Sequence, residues 1–148
     1  MKIGHIHLKV RDLEKSVVFY RDLFGLQVTE KVGDSFVFMS SGAMHHELAL
    51  QEVGSQARVP GRLDVGLYHV AFEVPDKQSL ARFYRNLKSG GIRVYPVDHR
   101  ISWALYFSDP DGNGIEVYWD TRGTDRGETV WKGVDRPLTE EQLAEVIA

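Results

Sequence analysis

Residues 3–26, IGHIHLKVRDLEKSVVFYRDLFGL, decide the fold because a second stretch of the chain repeats their pattern. Residues 67–90 read LYHVAFEVPDKQSLARFYRNLKSG, and a shift of 64 positions aligns the two stretches without a gap. The shift pairs identical residues throughout, among them His5 with His69, Asp12 with Asp76, and Phe19-Tyr20 with Phe83-Tyr84. A repeat of this length predicts two copies of one supersecondary unit.

Each copy has a pattern typical of the element order βαβββ. The opening run alternates as a strand does, and residues 13–24 and 77–88 then carry apolar side chains at helical spacing. Asp12 and Asp76 precede these helices as N-caps, and glycines follow them at Gly25 and Gly90-Gly91. Strand-like runs come next at residues 26–32, 35–41 and 46–53 of the first copy, and at 92–97, 102–108 and 114–120 of the second. The predicted fold class is α+β, with tandem βαβββ modules.

The chain of 148 residues has the length of a single domain. We expect one domain over residues 1–148, composed of module one (1–53), a linker (54–64), module two (65–120) and a C-terminal tail (121–148). In the tail, Thr139 and Gln142 resemble a capping box that begins a short last helix. Trp131 is expected to pack back onto the body of the protein.

Composition narrows the classes of function. Hydrophobic residues make up 43% of the chain and charged residues 26%, as in an ordinary globular protein. The net charge of −3, without a cluster of Lys and Arg, argues against nucleic acid or an anionic membrane as partner. No apolar run approaches the roughly 20 residues of a membrane span, and the polar start MKIGHIHLKVRD is not typical of a signal peptide, so a cytoplasmic location is expected. Because cysteine is absent, any metal must bind nitrogen and oxygen ligands.

Three titratable residues fall at positions suited to a metal site. His5 and His69 occupy equivalent positions on the first predicted strand of each module, and Glu116 lies on the last strand of module two. Alternation places Glu116 on the strand face that also carries Gly114 and Tyr118. Two histidines and one carboxylate form a facial triad, which leaves open positions on Fe(II) for substrate and O2. Singly, each histidine is more often an ordinary strand residue; the repeat and the glutamate together favour a metal site.

The phrases HLKVRDLEKSVVFYRDLFGL, YHVAFEV and LYFSDPDGNGIEVYWD resemble the module hallmarks of the vicinal oxygen chelate superfamily, over about residues 3–120. This superfamily holds glyoxalases, antibiotic-resistance proteins and extradiol ring-cleaving dioxygenases. The resemblance implies a glyoxalase-like domain with a cupped mixed sheet around a metal site, and metal ligands at His5, His69 and Glu116. His7 is a rival of His5: it points to the same strand face but breaks the 64-residue register.

Two further stretches resemble the extradiol dioxygenases in particular. MHHELALQ, residues 44–51, resembles their HHxLA stretch and implies that His46 is the acid-base residue over the metal. Strand alternation separates His46 from His45, and which of the two faces the site stays open. VDHRISWALYF, residues 97–107, resembles the stretch that holds an Asp-His pair and a substrate-binding tyrosine. The matching residues are His99 and Tyr106 as catalytic groups and Asp98 near the substrate; Trp103 is expected either to line the ring pocket or to lie in the core.

The resemblance implies an Fe(II)-dependent extradiol dioxygenase that cleaves a catechol-type aromatic diol with O2, Mn(II) being the alternative ion. A glyoxalase-like isomerase or a metal-dependent thiol transferase of antibiotic resistance would use the same ligands, with Glu47 as a fourth, and would consume no O2. A metal-free drug-binding module is the third alternative. The well-known extradiol enzymes of this superfamily carry two such domains, and this sequence matches the catalytic one; it is most similar to the shorter, single-domain relatives that resemble catechol 2,3-dioxygenase. Contacts from the missing domain are therefore expected from the tail or from a second copy in a homo-oligomer.

Overall fold

The computed structural model describes residues 3–61, 63–125 and 128–144; the parts of the predicted module one, linker and tail at residues 1, 2, 62, 126, 127 and 145–148 lie outside the described residues. The elements are β1 (Ile6–Val10), α1 (Leu13–Phe24), β2 (Gln27–Val32), β3 (Phe36–Ser40), β4 (Leu48–Glu52), β5 (Val70–Glu73), α2 (Lys77–Ser89), β6 (Tyr95–Asp98), β7 (Ser102–Ser108), β8 (Gly114–Asp120), β9 (Arg136–Pro137) and α3 (Glu140–Ala144). This order confirms the predicted α+β class and its tandem βαβββ modules.

The chain divides into two compact units. The first comprises Met1–Gly66 together with Asp109–Asn113, and the second comprises Leu67–Ser108 together with Gly114–Ala148. The first contains a sheet of strand order β1-β4-β3-β2, and the second a sheet of order β5-β8-β7-β6-β9. In each sheet the first strand of the repeat pairs in parallel with the last, and the remaining neighbours are antiparallel. The repeated sequence thus produces the same mixed topology twice.

Both predicted helices begin at the expected caps. Asp12 and Asp76 each accept a hydrogen bond from the backbone N–H three residues on, at 2.9 and 2.6 Å. Gly25 ends α1 in the left-handed conformation, with φ of 72°. In the second unit Gly91, with φ of 70°, takes that conformation, whereas Gly90 has φ of −77°. The second helix is therefore one residue longer than the first.

Each helix packs on one face of the sheet in its own unit. Tyr20 of α1 is buried, as are the β-strand residues Val10, Val37, Met39 and Leu50; the second unit buries Leu80, Leu87, Leu105, Ile115 and Val117. Because side chains alternate along a strand, the neighbours of these core residues point to the opposite face. In the second sheet, that opposite face carries Tyr106 and Glu116 of the candidate site.

The DPDGNG turn is held by its first aspartate. Asp109 is buried and accepts the backbone N–H groups of Asp111 and Asn113, both at 2.9 Å. Its second oxygen accepts the hydroxyl of Tyr20, also at 2.9 Å. Burial, reinforced by the nearby Asp109 carboxylate, raises the pKa of Tyr20 above its usual range, so the phenol stays a donor. The turn immediately before β8 is thereby fixed.

The C-terminal tail adds structure to the second unit. The predicted capping box is confirmed: Gln142 N donates to Thr139 Oγ1 at 3.2 Å, and Thr139 N donates to Gln142 Oε1 at 2.9 Å. Ahead of this helix, β9 pairs antiparallel with β6. Within the ranges that the structure describes, no helix combines the length and the apolar character needed to cross a bilayer.

Candidate functional site

His69 and Glu116 form the central pair of the second unit. His69 Nε2 lies 2.9 Å from Glu116 Oε2, and the two side chains are only 29% and 12% exposed. The prediction placed His5 and His69 on the first strands, but β1 begins at Ile6 and β5 at Val70. Both histidines therefore stand one residue before their strand, and their equivalence in the repeat is preserved.

Gly114 permits the close approach of the chain that carries His69. A Cβ atom at Gly114 would lie 2.1 Å from the carbonyl oxygen of Tyr68 and 3.2 Å from the Cβ of His69. Any other residue would push this segment away from β8. The glycine thus sets the distance between His69 and Glu116.

Tyr106 orients the carboxylate of Glu116. The two residues are directly paired across β7 and β8, and Tyr106 Oη donates to Glu116 Oε1 at 3.0 Å. Burial, followed by the charge of Glu116 and this hydrogen bond, raises the pKa of Tyr106 above its ordinary value. The phenol therefore remains protonated at neutral pH. It holds one oxygen of Glu116 while the other faces His69.

His99 continues this set of contacts to the tail. Its Nε2 lies 2.7 Å from Tyr106 Oη, and its Nδ1 lies 2.5 Å from Asp135 Oδ1. Trp131 Nε1 donates to the same Asp135 oxygen at 2.9 Å, and the indole meets the His99 ring edge-on with centroids 5.8 Å apart. The structure thus brings together His69, Glu116, Tyr106 and His99, and the expected packing of Trp131 is confirmed.

Asp98 and Trp103 lie on the other side of the same sheet. They are paired across β6 and β7, and each is 3% exposed. Asp98 accepts the backbone N–H of Arg100 at 2.7 Å, and the ammonium of Lys77 lies 4.8 Å from the centroid of the Trp103 ring. By strand alternation Tyr106 points away from both. This position does not support the predicted substrate contacts, and Trp103 fits its alternative reading as a core residue.

His46 lies beside His5 in the first unit. The ring centroids of His46 and His5 are 4.5 Å apart, and those of His46 and Phe38 are 4.9 Å apart. His46 Nδ1 is 2.8 Å from His45 Nδ1, and His45 Nε2 is 3.2 Å from Glu30 Oε2. Desolvation is the largest cause that lowers the pKa of His46, and electrostatic repulsion from His5 and His45 adds to it. The lowered pKa favours the neutral form of His46.

The strand alternation expected for MHHELALQ is wrong for its first half. Strand β4 begins at Leu48, so His45, His46 and Glu47 precede it and are not sorted by the pleat. Glu47 accepts hydrogen bonds from the backbone N–H and hydroxyl of Ser41, at 3.1 and 2.7 Å. The turn after β3 uses Glu47, so the backbone leaves the extended conformation there.

His5 and its rival His7 have different surroundings. His5 contacts the ring of His46, whereas His7 lies within β1 with its ring centroid 6.0 Å from that of Phe36. Over residues 3–61, 63–125 and 128–144, no three or more His, Asp or Glu side chains are grouped so as to hold a metal ion. The choice between the two histidines as ligand stays a prediction.

The pair His69 and Glu116 nonetheless fits a metal of the expected kind. Two ligand atoms bound at right angles to an octahedral ion at roughly 2.1 Å lie about 3 Å apart, close to the observed separation. His69 Nδ1 is buried without a hydrogen-bond partner among the described residues, an exception to the rule that buried polar atoms are paired. Nitrogen and carboxylate oxygen are suitable ligands for Fe(II) or Mn(II).

Comparison with known proteins agrees with this arrangement. Residues 2–117 match the glyoxalase/bleomycin resistance protein/dioxygenase superfamily. The chain belongs to this superfamily. Membership confirms the family resemblance stated for residues 3–120, and the superfamily includes both dioxygenases and glyoxalases by its own description.

Individual superfamily members resemble the chain over most of its length. Catechol-2,3-dioxygenase of Bacillus subtilis (strain 168) is 38% identical over 130 residues, which cover 88% of this chain and 44% of that enzyme. The manganese-dependent 2,3-dihydroxybiphenyl 1,2-dioxygenase of Geobacillus genomosp. 3 is 30% identical over 123 residues, covering 80% and 36% respectively. The chain thus spans less than half the length of either dioxygenase.

A solved structure supports the fold. Lactoylglutathione lyase from Agrobacterium tumefaciens superposes with a TM-score of 0.63 at 27% identity, covering 80% of this chain and 92% of that one. Together with the two dioxygenases, it identifies the chain as similar to enzymes of the superfamily.

Sequence reasoning missed two residues of the site. Asp135 lies in an irregular stretch without periodicity, 36 positions after His99, and no local pattern distinguishes it from other aspartates. Gly114 was placed on the correct strand face, but its steric role depends on the parallel pairing of β5 with β8.

Proposed function

We propose that the chain is an extradiol ring-cleaving dioxygenase that acts on a catechol-type aromatic diol with O2. The observation that carries the proposal is the hydrogen-bonded set of His69, Glu116, Tyr106 and His99, on one face of the second sheet. Similarity to two dioxygenases of aromatic diols supports it. The reaction breaks one ring carbon–carbon bond and places both atoms of O2 in the product. No external reductant is required.

The proposed metal ligands are His5, His69 and Glu116, with Fe(II) as the ion and Mn(II) as the alternative. The ion would supply a Lewis acid that favours the catecholate form of the diol, and a redox centre for its reaction with O2. Glu116 suits this role because Tyr106 fixes one of its oxygens, as partners behind a ligand commonly do. The carboxylate is thereby held in a single orientation.

His46 is the proposed acid-base residue. A neutral imidazole can take a hydroxyl proton from the diol and later return it. Because His46 Nδ1 faces His45, the nitrogen left for this transfer is Nε2. The lowered pKa of His46, caused first by its loss of solvent and then by His5, supports the neutral form at neutral pH. Tyr106 and His99 would orient the substrate oxygens.

The organisation of the chain is part of the proposal. We assign one domain to residues 1–148, with module one (1–53), the linker (54–64), module two (65–120) and the tail (121–148). A cytoplasmic homo-oligomer is the proposed state. The repeat supports the division into modules; the proposed location and oligomeric state rest on the sequence expectations given above.

Oxygen consumption tests the function directly. Protein loaded anaerobically with Fe(II) is mixed with a panel of catechols, and O2 uptake is followed together with the absorbance of a yellow ring-opened product. We expect uptake and product to rise in step with at least one catechol, and metal-free protein serves as the control. No uptake by fully loaded protein would contradict the proposal and favour a glyoxalase-like isomerase or a thiol transferase, neither of which consumes O2.

A matched pair of variants tests the role of His46. General acid-base catalysis contributes about 10²–10⁴-fold, so His46→Ala is expected to lower kcat by that factor while metal content is retained. His45→Ala, a change of the adjacent histidine, is expected to lower kcat far less. Equal effects of the two substitutions would contradict the assignment of His46.

A further inference from the structure

The tail presents one carboxylate to His99. Asp135 Oδ1 lies 2.5 Å from His99 Nδ1 and also accepts the indole N–H of Trp131 at 2.9 Å. The aspartate that precedes His99 in sequence is Asp98, which is buried and bonded to the backbone of Arg100. The carboxylate that touches His99 therefore comes from a distant part of the chain.

Strand pairing explains why Asp135 meets His99. Strand β9 pairs antiparallel with β6, joining Val97 to Pro137 and Asp98 to Arg136. The next position in this register is His99 opposite Asp135, one residue beyond each strand. Beyond β9, Leu138 is buried, which anchors the segment. The contact is thus fixed by backbone hydrogen bonds as well as by side chains.

The same contact determines which ring nitrogen carries a proton. A carboxylate 2.5 Å from Nδ1 favours a proton on that nitrogen, because an unprotonated Nδ1 would face the negative charge. Partial burial opposes ionisation of Asp135, but hydrogen bonds from His99 and Trp131 lower its pKa below the usual value. Nε2, on the other side of the ring, lies 2.7 Å from the Tyr106 oxygen, whose only proton is donated to Glu116; a proton on Nε2 as well would let His99 donate to that oxygen.

We infer that Asp135 is a positioning residue, which keeps a proton on Nδ1 of His99 and fixes the orientation of its ring, and thereby the place of the Tyr106 hydroxyl. Trp131 assists by holding the shared oxygen of Asp135. The catalytic consequence rests on the proposed function, whereas the effect on the His99 ring does not. The tail thereby belongs to the site and is more than an extension of the sheet.

The first experiment measures the His99 ring without reference to activity. Imidazole ¹⁵N shifts of His99 are recorded by NMR in the metal-free protein, with His99→Ala used for assignment. We expect the Nδ1-protonated form to predominate in the parent protein, to decrease in Asp135→Asn, and to decrease further in Asp135→Ala. Asp125→Ala, at an exposed aspartate of the same tail, is the matched control. Unchanged His99 shifts in both Asp135 variants would overturn the inference.

The second experiment is a double-mutant cycle in the Fe(II)-loaded protein. Loss of a partner behind a ligand or catalytic group typically costs about 10–100-fold, so Asp135→Ala is expected to lower kcat by that factor with little change in KM. In a His99→Ala background the same change is expected to have no further effect. Independent, multiplying effects would overturn the inference. If the parent protein consumes no O2, the proposed function fails, and the NMR result alone decides the role of Asp135.

Discussion

Tyr106 and Glu116 lie directly opposite each other on neighbouring antiparallel strands, and the phenol donates to one carboxylate oxygen at 3.0 Å. The other carboxylate oxygen is 2.9 Å from His69. Glu116 on β8 is thus held from two sides, by Tyr106 of β7 and by His69 immediately before β5. If His69 and Glu116 bind metal as proposed, this arrangement holds the pair in place before the ion binds.

Replacement of Tyr106 by phenylalanine tests the first half of this arrangement. Tyr106→Phe removes the donor that orients Glu116, and we expect metal affinity to fall by about 10-fold. Calorimetric titration with Mn(II) measures the change without interference from oxidation. Tyr95→Phe is the matched control, because Tyr95 is paired with Tyr106 across the sheet but is 58% exposed. Equal affinities of the two variants would contradict a role for the phenol.

The choice between His5 and His7 is settled by a second pair of variants. His5→Ala removes a proposed ligand, so metal affinity is expected to fall by more than the about 100-fold that loss of an outer partner can cost. His7→Ala is expected to retain nearly full affinity. The reverse order of the two affinities would identify His7 as the ligand.

Substitution at Gly114 tests the close approach of His69. Gly114→Ala places a Cβ 2.1 Å from the Tyr68 carbonyl oxygen, and the backbone must shift to relieve the clash. We expect the free energy of unfolding to fall by about 1–3 kcal/mol, as for other overpacked sites. Urea denaturation measures this change. Gly123→Ala, where an added Cβ meets nothing within 4 Å, is expected to be nearly neutral.

Alkaline pH is expected to loosen the last helix. Tyr84 donates to Glu140 at 2.5 Å, and burial, then this bond, raises the pKa of Tyr84 to about 12. A raised folded-state pKa favours the protonated phenol, so its stabilising effect is complete below the unfolded pKa of about 10 and is lost as pH rises through the folded value.

Thermal unfolding at several pH values checks this linkage. The parent protein is expected to have a higher Tm than Tyr84→Phe at neutral pH, and the difference is expected to shrink between pH 10 and about 12. A difference that stays constant over that range would show that ionisation of Tyr84 is not coupled to stability.

The fold was predictable because its signals are local and occur twice. Helix α1 begins and ends at the expected residues, since Asp12 and Gly25 provide its caps within the sequence itself. Strands β7 and β8 also have the expected bounds, because their alternation is uninterrupted between clear turn residues. The expected start of β4 was two residues too early: the strand begins at Leu48, and the Glu47 side chain bonds to Ser41 in the turn after β3.

The site was only partly predictable. Some of its contacts follow from local sequence pattern, and others depend on pairing between segments that are far apart in the chain. Tyr106 and Glu116 follow from a hairpin register that strand lengths determine. Asp135 does not, because its contact with His99 depends on a two-residue strand inside an irregular tail. A strand of only two residues is too short to produce a periodic hydrophobic pattern in the sequence. The face of the sheet on which the Asp98 side chain lies could likewise be determined only from the sheet register.

The pairing of β9 with β6 has a practical consequence for anyone who shortens this protein. A fragment ending at Asp120, where the repeat stops, would keep every proposed ligand and both βαβββ patterns. It would also uncover the outer edge of β6, and open strand edges promote aggregation. An inactive or insoluble fragment would then reflect the missing edge strand rather than a wrong assignment of the metal ligands.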